Sequence, residues 1–574
     1  MSTIQFDHQV ATSLMNDLGW FATVLIDQGA HRRGAMNTAL LDAKGPYSDL
    51  LVDACMIESE DRGRFRGKIA DLQPEIATAS QKAREEEERL REVAVWEAGA
   101  ALRQLALSPT SPVPMVQQGP QPSYYPIAPP PLRIAFQARG RPRGRQGSGD
   151  GSAVCSADPG KLREFVRQSK AMDLALHSDF SRLRDSVTKF QQSCGWAPLE
   201  AAGALAAFER YLTENEETAA WVSRVATAFQ NAGGGELTTR VLDLATATAM
   251  PTPASLLELT DEELLALAAA GFPGVTVDVV ENWWAGLREA DREALTTAAA
   301  VLIGNLAGIP IATRTATNAL RAAELAEVKG ISKAERTYWL EVASGERSLV
   351  LCLPEFERMI EMFGTIGPNT THAITYLPGT GITMGDLFKE GPQQVPKYLA
   401  DHSDGKGVTF VYMDRPWITW TGERRNTNPW YLAKVGAALG GFQRDVIGRD
   451  PVLANATTVV GGHSAGFTPV TWPTVQADIV FSLAGSYSFG AKFERPPSMT
   501  KYLSYGYDND PIAYIGKVPG LDSPTSPDST YDKNVYSGEG MSGIDAHNLT
   551  ATDAEQNLPL LDDLVQELFP TEEG

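Results

Sequence analysis

The chain has few cysteines and no long apolar run. Its four cysteines, Cys55, Cys155, Cys194 and Cys352, are widely spaced among 574 residues and match no metal-ligand pattern. We therefore expect no metal, no cofactor and a reduced interior, with a Cys155–Cys194 bridge as an open alternative. No segment is long and apolar enough to cross a bilayer, which predicts that no part of the chain spans a membrane.

Positive charge is also scarce. The chain carries 50 Lys and Arg against 71 Asp and Glu, a formal net charge of −21. Because this balance repels phosphates, it argues against nucleic acid as a partner. The basic stretch at 139–145 is interpreted as part of a soluble linker. Residues 1–7 lack the basic head and apolar core of an ordinary signal peptide. We expect a cytoplasmic protein, or one exported without a standard signal peptide.

What the sequence does contain is a Gly-His-Ser-Ala-Gly motif at 462–466, directly behind the β-branched run Thr457–Val460. A glycine on each side of Ser464 permits a sharp strand-to-helix turn that presents the serine hydroxyl above a sheet. The motif alone is weak evidence in a chain rich in Gly and Ala, because a buried serine in a packing turn has the same pattern.

The surroundings of the motif favour a strand context. Five short apolar runs alternate with helix-like segments over about 200 residues, which predicts an α/β fold with a mainly parallel sheet and helices on both faces. The five runs are Ala373–Leu377, Val408–Met413, Ala456–Val460, Ala477–Leu483 and Thr500–Tyr507. Functional groups in such sheets gather at the carboxyl ends of the strands, where the motif falls.

A serine nucleophile needs a base and an acid that orients the base. His547 is the only histidine after Ser464, and it fits the order Ser, Asp, His that α/β-hydrolases use. Asp510 follows a predicted strand and precedes a proline, so it is the favoured acid, with Asp508 as the alternative. His463 is expected to pack beneath the turn.

An oxyanion hole requires two backbone N–H donors. One is expected from Ala465, the residue after the nucleophile. The second is expected from the loop after an earlier strand, at Gly379 and Thr380. A simple tight turn is the structural alternative for that loop.

A second set of residues carries a family resemblance. Trp283-Trp284-Ala285-Gly286-Leu287 is followed by Gly-Asn-Leu-Ala-Gly-Ile-Pro at 304–310 and then by Arg314 and Asn318. This series resembles the lead-in of an α/β-hydrolase family of high-GC Gram-positive bacteria, long catalogued as a domain of unknown function. Ala307 stands where that family usually has Asp. The resemblance covers about residues 240 to 565 and implies the triad Ser464, Asp510 and His547.

The first half of the chain is predicted to be all-α. We divide the chain into a helical region (1–107), a Pro/Gly/Arg-rich linker (108–157), a helical hairpin (158–235), a helical lead-in (236–370) and an α/β-hydrolase catalytic domain (371–574). The hairpin, with a Gly-Trp turn at 195–196, resembles the WXG-type helical proteins of type VII secretion. Its turn departs from their Trp-x-Gly order, and no Tyr-x-x-x-Asp/Glu export signature follows it.

Two functions remain open. In the first, the chain is a serine hydrolase that cleaves carboxylic esters, with lipid or other acyl esters suggested by Trp417, Trp420, Trp430 and Tyr487 near strand ends. In the second, it is a type VII secretion-associated interaction protein with a degenerate or secondary hydrolase domain. The helical half is expected to bind a protein partner or to self-associate.

Overall fold

The computed structural model describes residues 3–106, 119–144, 151–487, 501–515, 523–526 and 529–570. Backbone contacts divide the chain into two compact units, Met1–Thr246 and Ala247–Gly574. The first unit is mostly helical, and the second contains a large sheet. Among the described residues, no helix is both long enough and apolar enough to cross a membrane.

The described part of the first unit is built from long helices joined by very short strands. Their bounds are α1 His8–Leu40, α2 Pro46–Ala106, β1 Leu132–Arg133, β2 Val154–Ser156, α3 Pro159–Ser193, β3 Leu199–Glu200, α4 Ala202–Asn231, β4 Glu236–Thr238 and α5 Thr239–Ala245.

Helices α1 to α4 share one apolar core. Phe21 of α1, Phe65 of α2, Phe180 of α3 and Phe208 of α4 all lie in it, and Phe65 stacks on Phe208 with ring centroids 4.3 Å apart. Asp158 begins α3 as predicted, because its carboxylate accepts the N–H groups of the first helical turn. The predicted hairpin α3–α4 therefore buries its apolar faces against α1 and α2 of the same chain.

Over its described part, 119–144 and 151–157, the predicted linker is attached to the helical unit, which corrects its interpretation as a soluble linker. Arg89 of α2 donates to the carbonyl of Ser123, Glu86 accepts the N–H of Ile127, and Asp61 accepts the N–H of Arg139. The segment thus runs back along α2, from position 89 to position 61. The helix spans about 42 Å between positions 61 and 89. The 16 residues from Ser123 to Arg139 reach about 50 Å in a polyproline-type conformation, so they are long enough to cover that distance.

The basic stretch 139–145 is held by acidic side chains over its described residues. Arg139 pairs with Glu60 and Asp61, and Arg143 pairs with Glu214 and Glu217. Leu132 and Phe136 of the same segment are buried in the helical core. The composition of this segment predicts a linker, whereas apolar anchors and ion pairs attach its described residues to the helices.

The second unit begins with helices and continues as alternating strands and helices. Its helices are α6 Pro253–Leu257, α7 Asp261–Ala270, α8 Val277–Gly286, α9 Glu289–Ala298, α10 Ala300–Ile303, α11 Ile311–Ala326, α12 Lys333–Ser344, α13 Met384–Leu387, α14 Gln394–Asp401, α15 Pro429–Asp445, α16 Phe467–Val470, α17 Ile512–Ile515, α18 Gly543–Leu549 and α19 Leu558–Leu568. Its strands are β5 Ser348–Leu353, β6 Arg358–Phe363, β7 His372–Leu377, β8 Gly407–Met413, β9 Thr457–His463, β10 Ile479–Leu483, β11 Lys501–Tyr507 and β12 Asp532–Tyr536.

These eight strands form one sheet in the order β5-β6-β8-β7-β9-β10-β11-β12. Strands β7 to β12 are parallel wherever they pair, whereas β6 is antiparallel to both of its neighbours. The sheet is therefore mixed, with a parallel majority. Each of the five runs predicted as strands forms one of the parallel strands.

Both faces of the sheet are covered by helices. In β7, Ala373 and Leu377 join an apolar cluster that includes α11, α12 and α15, while Ile374 and Tyr376 join a second cluster with α14 and α19. Alternate residues of a strand point to opposite faces, so the two clusters lie on opposite sides of the sheet. The carboxyl ends of the parallel strands meet at one edge.

The sheet starts earlier than predicted, because β5 and β6 lie inside the region interpreted as a helical lead-in (236–370). A buried carboxylate obscures the pattern of β6: Glu361 is 1% exposed in the middle of that strand. It accepts hydrogen bonds from Tyr338, Arg347 and Gln393. Burial raises the pKa of Glu361, against the opposing effect of Arg347.

The lead-in series is attached to strand β5. The Asn305 side chain accepts the N–H of Cys352 at 2.5 Å and donates to its carbonyl at 3.1 Å, as a neighbouring strand would. Asn318 donates to the carbonyls of Gly304 and Leu349. These amides satisfy backbone groups of the first strand in the sheet, so the series has a structural role at that edge.

All four cysteines are free thiols.

The packing of the 119–144 segment generates a stability prediction. Phe136 is 8% exposed and its ring lies 4.9 Å from that of Phe65, whereas Tyr125 of the same segment is 86% exposed. We expect Phe136→Ala to lower the free energy of unfolding by about 3 kcal/mol, since it leaves a cavity in the core. Tyr125→Ala is the matched control and should change little. Urea unfolding measures both, and equal small effects would indicate an unattached spacer.

Candidate active site at the end of strand β9

Ser464 lies at the turn between β9 and α16, in a strained backbone conformation. Its φ is 53°, a left-handed value that few non-glycine residues adopt. A short 3-10 turn spans Ser464–Gly466 and leads directly into α16. Such strain costs about 1–3 kcal/mol and persists only where surrounding contacts enforce it. Here the N–H of Ser486 donates to the Ser464 carbonyl at 3.1 Å.

The two glycines of the motif are required by close backbone packing. A Cβ on Gly466 would lie 2.1 Å from the Pro378 carbonyl oxygen, and one on Gly462 would lie 2.7 Å from the backbone of Gly466. No side chain fits at either position. The sequence prediction of a sharp turn at 462–466 therefore agrees with the structure.

The loop after β7 lies against this turn. A Cβ on Gly379 would be 2.6 Å from His463 Nδ1 and 3.4 Å from Ser464 Cβ. The indole of Trp417 donates to the carbonyls of Gly379 and Pro378, at 2.8 and 3.2 Å. Because Trp417 is 3% exposed, it holds the loop from inside the core.

Two predicted site residues from other loops meet each other. Asp510 follows β11, and His547 lies on α18. Nδ1 of His547 is 3.1 and 3.0 Å from the two carboxylate oxygens of Asp510. A carboxylate only accepts, so Nδ1 carries the proton in this pair. Asp510 is 2% exposed and also accepts the N–H of Ile512, which fixes its orientation.

Asp508, the alternative acid, and Asp545, two residues before His547, have other partners. Asp508 is exposed, and its carboxylate accepts the N–H of Gly538 at 2.9 Å. Asp545 accepts the hydroxyl of Ser542 at the start of α18. The structure therefore brings Asp510, and neither of these two, to the His547 ring.

His463 joins the serine turn to the histidine helix. Its Nε2 donates to the backbone carbonyl of His547 at 3.1 Å, and the two rings are 4.7 Å apart between centroids. Burial lowers the pKa of His463 to about 3, and the nearby His547 adds to this effect. His463 is thus neutral at pH 7, and it packs beneath the turn as the sequence suggested.

No hydrogen bond joins Ser464 to His547 in the structure. The Oγ of Ser464 and the Nε2 of His547 have no hydrogen-bond partner among the described residues. The contact between His463 and His547 nevertheless places the His547 segment beside the turn that carries Ser464. Hydrogen bonds between a nucleophile and its base are often long without substrate and tighten when it binds.

Free backbone N–H groups lie near Ser464. Ala465 is the second residue of its short helical turn. The N–H groups of the first turn of a helix have no acceptor within the helix, and the N–H of Ala465 is one of these. In the loop after β7, Gly381 donates its N–H to the Ile418 carbonyl, whereas the N–H groups of Gly379 and Thr380 have no acceptor in the described part of the chain. The Thr380 hydroxyl is also buried without a partner.

The four aromatic residues singled out from the sequence divide into two kinds. Trp417 is buried and Tyr487 is partly buried, with its hydroxyl donating to the Asn426 carbonyl. Trp420 and Trp430 are 69% and 81% exposed. Trp420 lies against the loop after β7, with its Nε1 2.9 Å from the place a Cβ on Gly381 would occupy. The described residues contain no group of three or more side chains suited to hold a metal ion.

Two contacts that shape this site were not predicted from the sequence. Trp417 was taken for a substrate contact, and only its long-range bond to Gly379 reveals its role. The bond from His463 to the His547 carbonyl crosses 84 residues of chain. Neither contact has a local sequence signal, although a histidine next to the serine is visible in the motif.

No family model matches the chain, and no curated protein matches it. Among solved structures, the chain is similar to an S-formylglutathione hydrolase from Agrobacterium tumefaciens. The match has 10% sequence identity, covers 37% of this chain and 96% of that chain, and has a TM-score of 0.22. A TM-score this low does not establish a common fold.

The buried His463 generates a pH prediction. Its pKa of about 3 lies below the ordinary 6.5, so the unfolded chain binds the proton first as pH falls. The stability that it contributes above pH 6.5 is therefore lost progressively toward pH 3. Between pH 6.5 and 5, we expect it to account for a loss of about 1.5 kcal/mol.

Urea unfolding at the two pH values measures this loss. The wild type should lose more stability than His463→Asn, while the exposed control His402→Asn should match the wild type. Equal losses in wild type and His463→Asn would show that His463 protonates readily in the folded protein.

Proposed function

We propose that the second unit is a serine hydrolase of the α/β-hydrolase fold. The single observation that carries this proposal is the arrangement at one sheet edge: a strained Ser464 after β9 and an Asp510–His547 pair from later loops. The order Ser, Asp, His along the chain is the order this fold uses. The sheet order with its one antiparallel strand, β6, supports the same fold.

In the proposed reaction, Ser464 Oγ attacks the carbonyl carbon of an ester. His547 Nε2 takes the hydroxyl proton and gives it to the departing alcohol, which leaves an acyl group on Ser464. A water molecule, deprotonated by the same Nε2, then attacks the acyl carbon. The bond from that carbon to Ser464 Oγ breaks, the acid leaves, and Nε2 returns the proton to Oγ. Asp510 accepts from Nδ1 throughout and stabilises the imidazolium.

The oxyanion that forms in each step needs backbone donors. We assign one to the N–H of Ala465, the residue after the nucleophile. We assign the second to Gly379 or Thr380, whose N–H groups have no acceptor among the described residues. Trp417 contributes by holding the Gly379 carbonyl, which fixes the direction of the loop. Donors fixed in advance stabilise the transition state without reorganisation.

For the substrate, we propose a carboxylic ester with an apolar acyl group. Several large apolar side chains are exposed on the loops and helices that carry the site residues. Trp420, which follows β8, lies against the loop after β7. Tyr514 follows Asp510 by four residues, and Ile544 precedes His547 by three. Exposed aromatic and aliphatic groups around a site are typical of surfaces that bind apolar ligands.

The nucleophile is tested by covalent labelling. A fluorophosphonate probe should label the purified wild type, and Ser464→Ala should abolish the label because the probe reacts with the activated nucleophile. Ser344→Ala, an exposed position at the end of α12, is the control and should label fully. If soluble wild type does not label, the alternative interpretation as a secretion-associated interaction protein with a degenerate hydrolase domain gains support.

The acid is tested with paired variants. Asp510→Asn should lower kcat by about 10⁴-fold, since an amide cannot hold the required tautomer of His547. Asp508→Asn should keep most of the turnover, because that carboxylate binds Gly538 instead. Turnover is measured on the best substrate from a series of p-nitrophenyl esters of increasing acyl length. Equal effects of the two variants would contradict the assignment of Asp510.

A further inference from the structure

The loop between β8 and α15, residues 414–428, reaches across the part of the sheet edge where Ser464 lies. From β8 the next strands in the sheet are β7, β9 and β10. Neighbouring strands are about 4.8 Å apart, so β8 and β10 are separated by about 14 Å. The hydroxyl of Tyr487, which follows β10, donates to the Asn426 carbonyl at 3.2 Å. The loop and this side chain together therefore bridge the ends of β7 and β9.

Hydrogen bonds attach this loop on both sides of the nucleophile. On one side, the Ile418 carbonyl accepts the N–H of Gly381, in the loop after β7, at 2.8 Å. On the other side, the loop contacts Tyr487, and the adjacent Ser486 donates its N–H to the Ser464 carbonyl at 3.1 Å. The loop is thus anchored to the two segments that flank Ser464.

The loop is also held by bonds within itself and to β6. The N–H of Thr419 donates to the Arg424 carbonyl at 2.9 Å, and the Thr419 carbonyl accepts the N–H of Asn426 at 2.8 Å. Arg424 forms an ion pair with Glu357, directly before β6, at 2.6 Å. Because both backbone groups of Thr419 are bonded, the backbone that leads into the next residue, Trp420, is fixed. A contact surface fixed in advance avoids the cost of ordering it when a ligand binds.

Trp420 supplies an exposed apolar surface on this loop. The residue is 69% exposed. Its Nε1 and Cδ1 lie 2.9 and 3.5 Å from the place a Cβ on Gly381 would occupy, so one edge of the indole packs on the loop after β7. A large aromatic ring that is fixed along one edge and otherwise open is suited to form one wall of a binding cleft.

The distance from this ring to the nucleophile fits an acyl chain. A Cβ on Gly379, two residues before Gly381, would lie 3.4 Å from Ser464 Cβ. Two residues of chain span about 7 Å at most, which places the indole edge of Trp420 within about 16 Å of Ser464 Cβ. Apolar groups touch at about 4 Å, so an extended acyl chain of roughly eight carbons on Ser464 reaches the indole.

We propose that Trp420 is a specificity-determining residue of the ester site and selects acyl groups of medium length. This role rests on the proposed function, since the acyl group is carried by Ser464. Each methylene that the indole covers raises kcat/KM by up to about fourfold. The gain ends where the chain passes the ring, at roughly eight carbons. Because the wall contacts the chain equally in the ground state and the transition state, its effect falls on KM.

The test measures kcat/KM of the full-length protein on p-nitrophenyl acetate, butyrate, hexanoate and octanoate. In the wild type, kcat/KM should rise along this series. Trp420→Ala should lower the octanoate-to-acetate ratio about tenfold, mainly through a higher KM for octanoate. Thr421→Ala, at the exposed next position of the same loop, is the matched control and should leave the ratio unchanged. An unchanged ratio in Trp420→Ala, or an equal fall in Thr421→Ala, overturns the proposal.

Two further variants identify the kind of contact and the side of the cleft. Trp420→Phe keeps an apolar ring and should retain most of the ratio, whereas the polar Trp420→Gln should lose it as Trp420→Ala does. Circular dichroism checks that each variant folds. The same variants are measured on butyl, hexyl and octyl acetate, which extend the alcohol instead of the acyl group. If the Trp420 variants change the preference for the alcohol and not for the acyl group, the wall lies on the leaving-group side and the proposal is wrong.

Covalent labelling separates the role of Trp420 from the activity of Ser464. If a fluorophosphonate probe labels both the wild type and Trp420→Ala, while the octanoate-to-acetate ratio is the same in the two proteins, only the role of Trp420 is refuted. If soluble wild type neither labels nor hydrolyses any ester of the series, the proposed function fails, and the acyl selectivity assigned to Trp420 fails with it.

Discussion

The close contact between the 462–466 turn and the end of β7 is the constraint on which the candidate site depends. The Pro378 carbonyl occupies the space where any side chain at position 466 would lie, and Ser464 is held at a φ of 53°. A strained residue persists only where its surroundings leave no alternative. The parallel pairing of β7 with β9 brings the two segments together, so the strain is maintained by the sheet itself.

The remaining site residues depend on the same sheet. Asp510 follows β11, two strands from β9 in the sheet, and parallel strands end at the same edge. His547 comes from a helix after the last strand, and two bonds fix it: Nδ1 to Asp510 and its own carbonyl to His463. Because His463 belongs to β9, the segment that carries the base is tied directly to the serine turn. One neutral, buried imidazole thereby couples two loops that are far apart in sequence.

The sequence predicts the central part of this arrangement because its signals are local. The five parallel strands are apolar runs, and a Gly-x-Ser-x-Gly motif directly after such a run predicts a sharp turn. Strands β5, β6 and β12 were not predicted. Strand β5 is itself an apolar run, Ser348–Leu353, but it lies inside the region interpreted as a helical lead-in. Glu361 interrupts β6, and its three donors are Tyr338 of α12, Arg347 just before β5 and Gln393 just before α14. Strand β12 is mostly exposed and polar, so it has no apolar face to recognise. Contacts between distant segments, such as Trp417 with Gly379, are invisible in any local pattern.

In the helical unit, too, contacts between distant segments are invisible in the local sequence. Its Pro- and Arg-rich segment has the composition of a linker, yet the acidic residues Asp61, Glu86 and Glu214 of two helices pair with it or accept its N–H groups. Low apolar content predicts disorder only when a segment must form its own core. A segment that lies along a preformed helix needs few apolar anchors, since the helix has already lost most of its conformational entropy. The same reasoning explains why Arg141 of this segment lies buried: the segment closes over the helices and carries its charge into their interior.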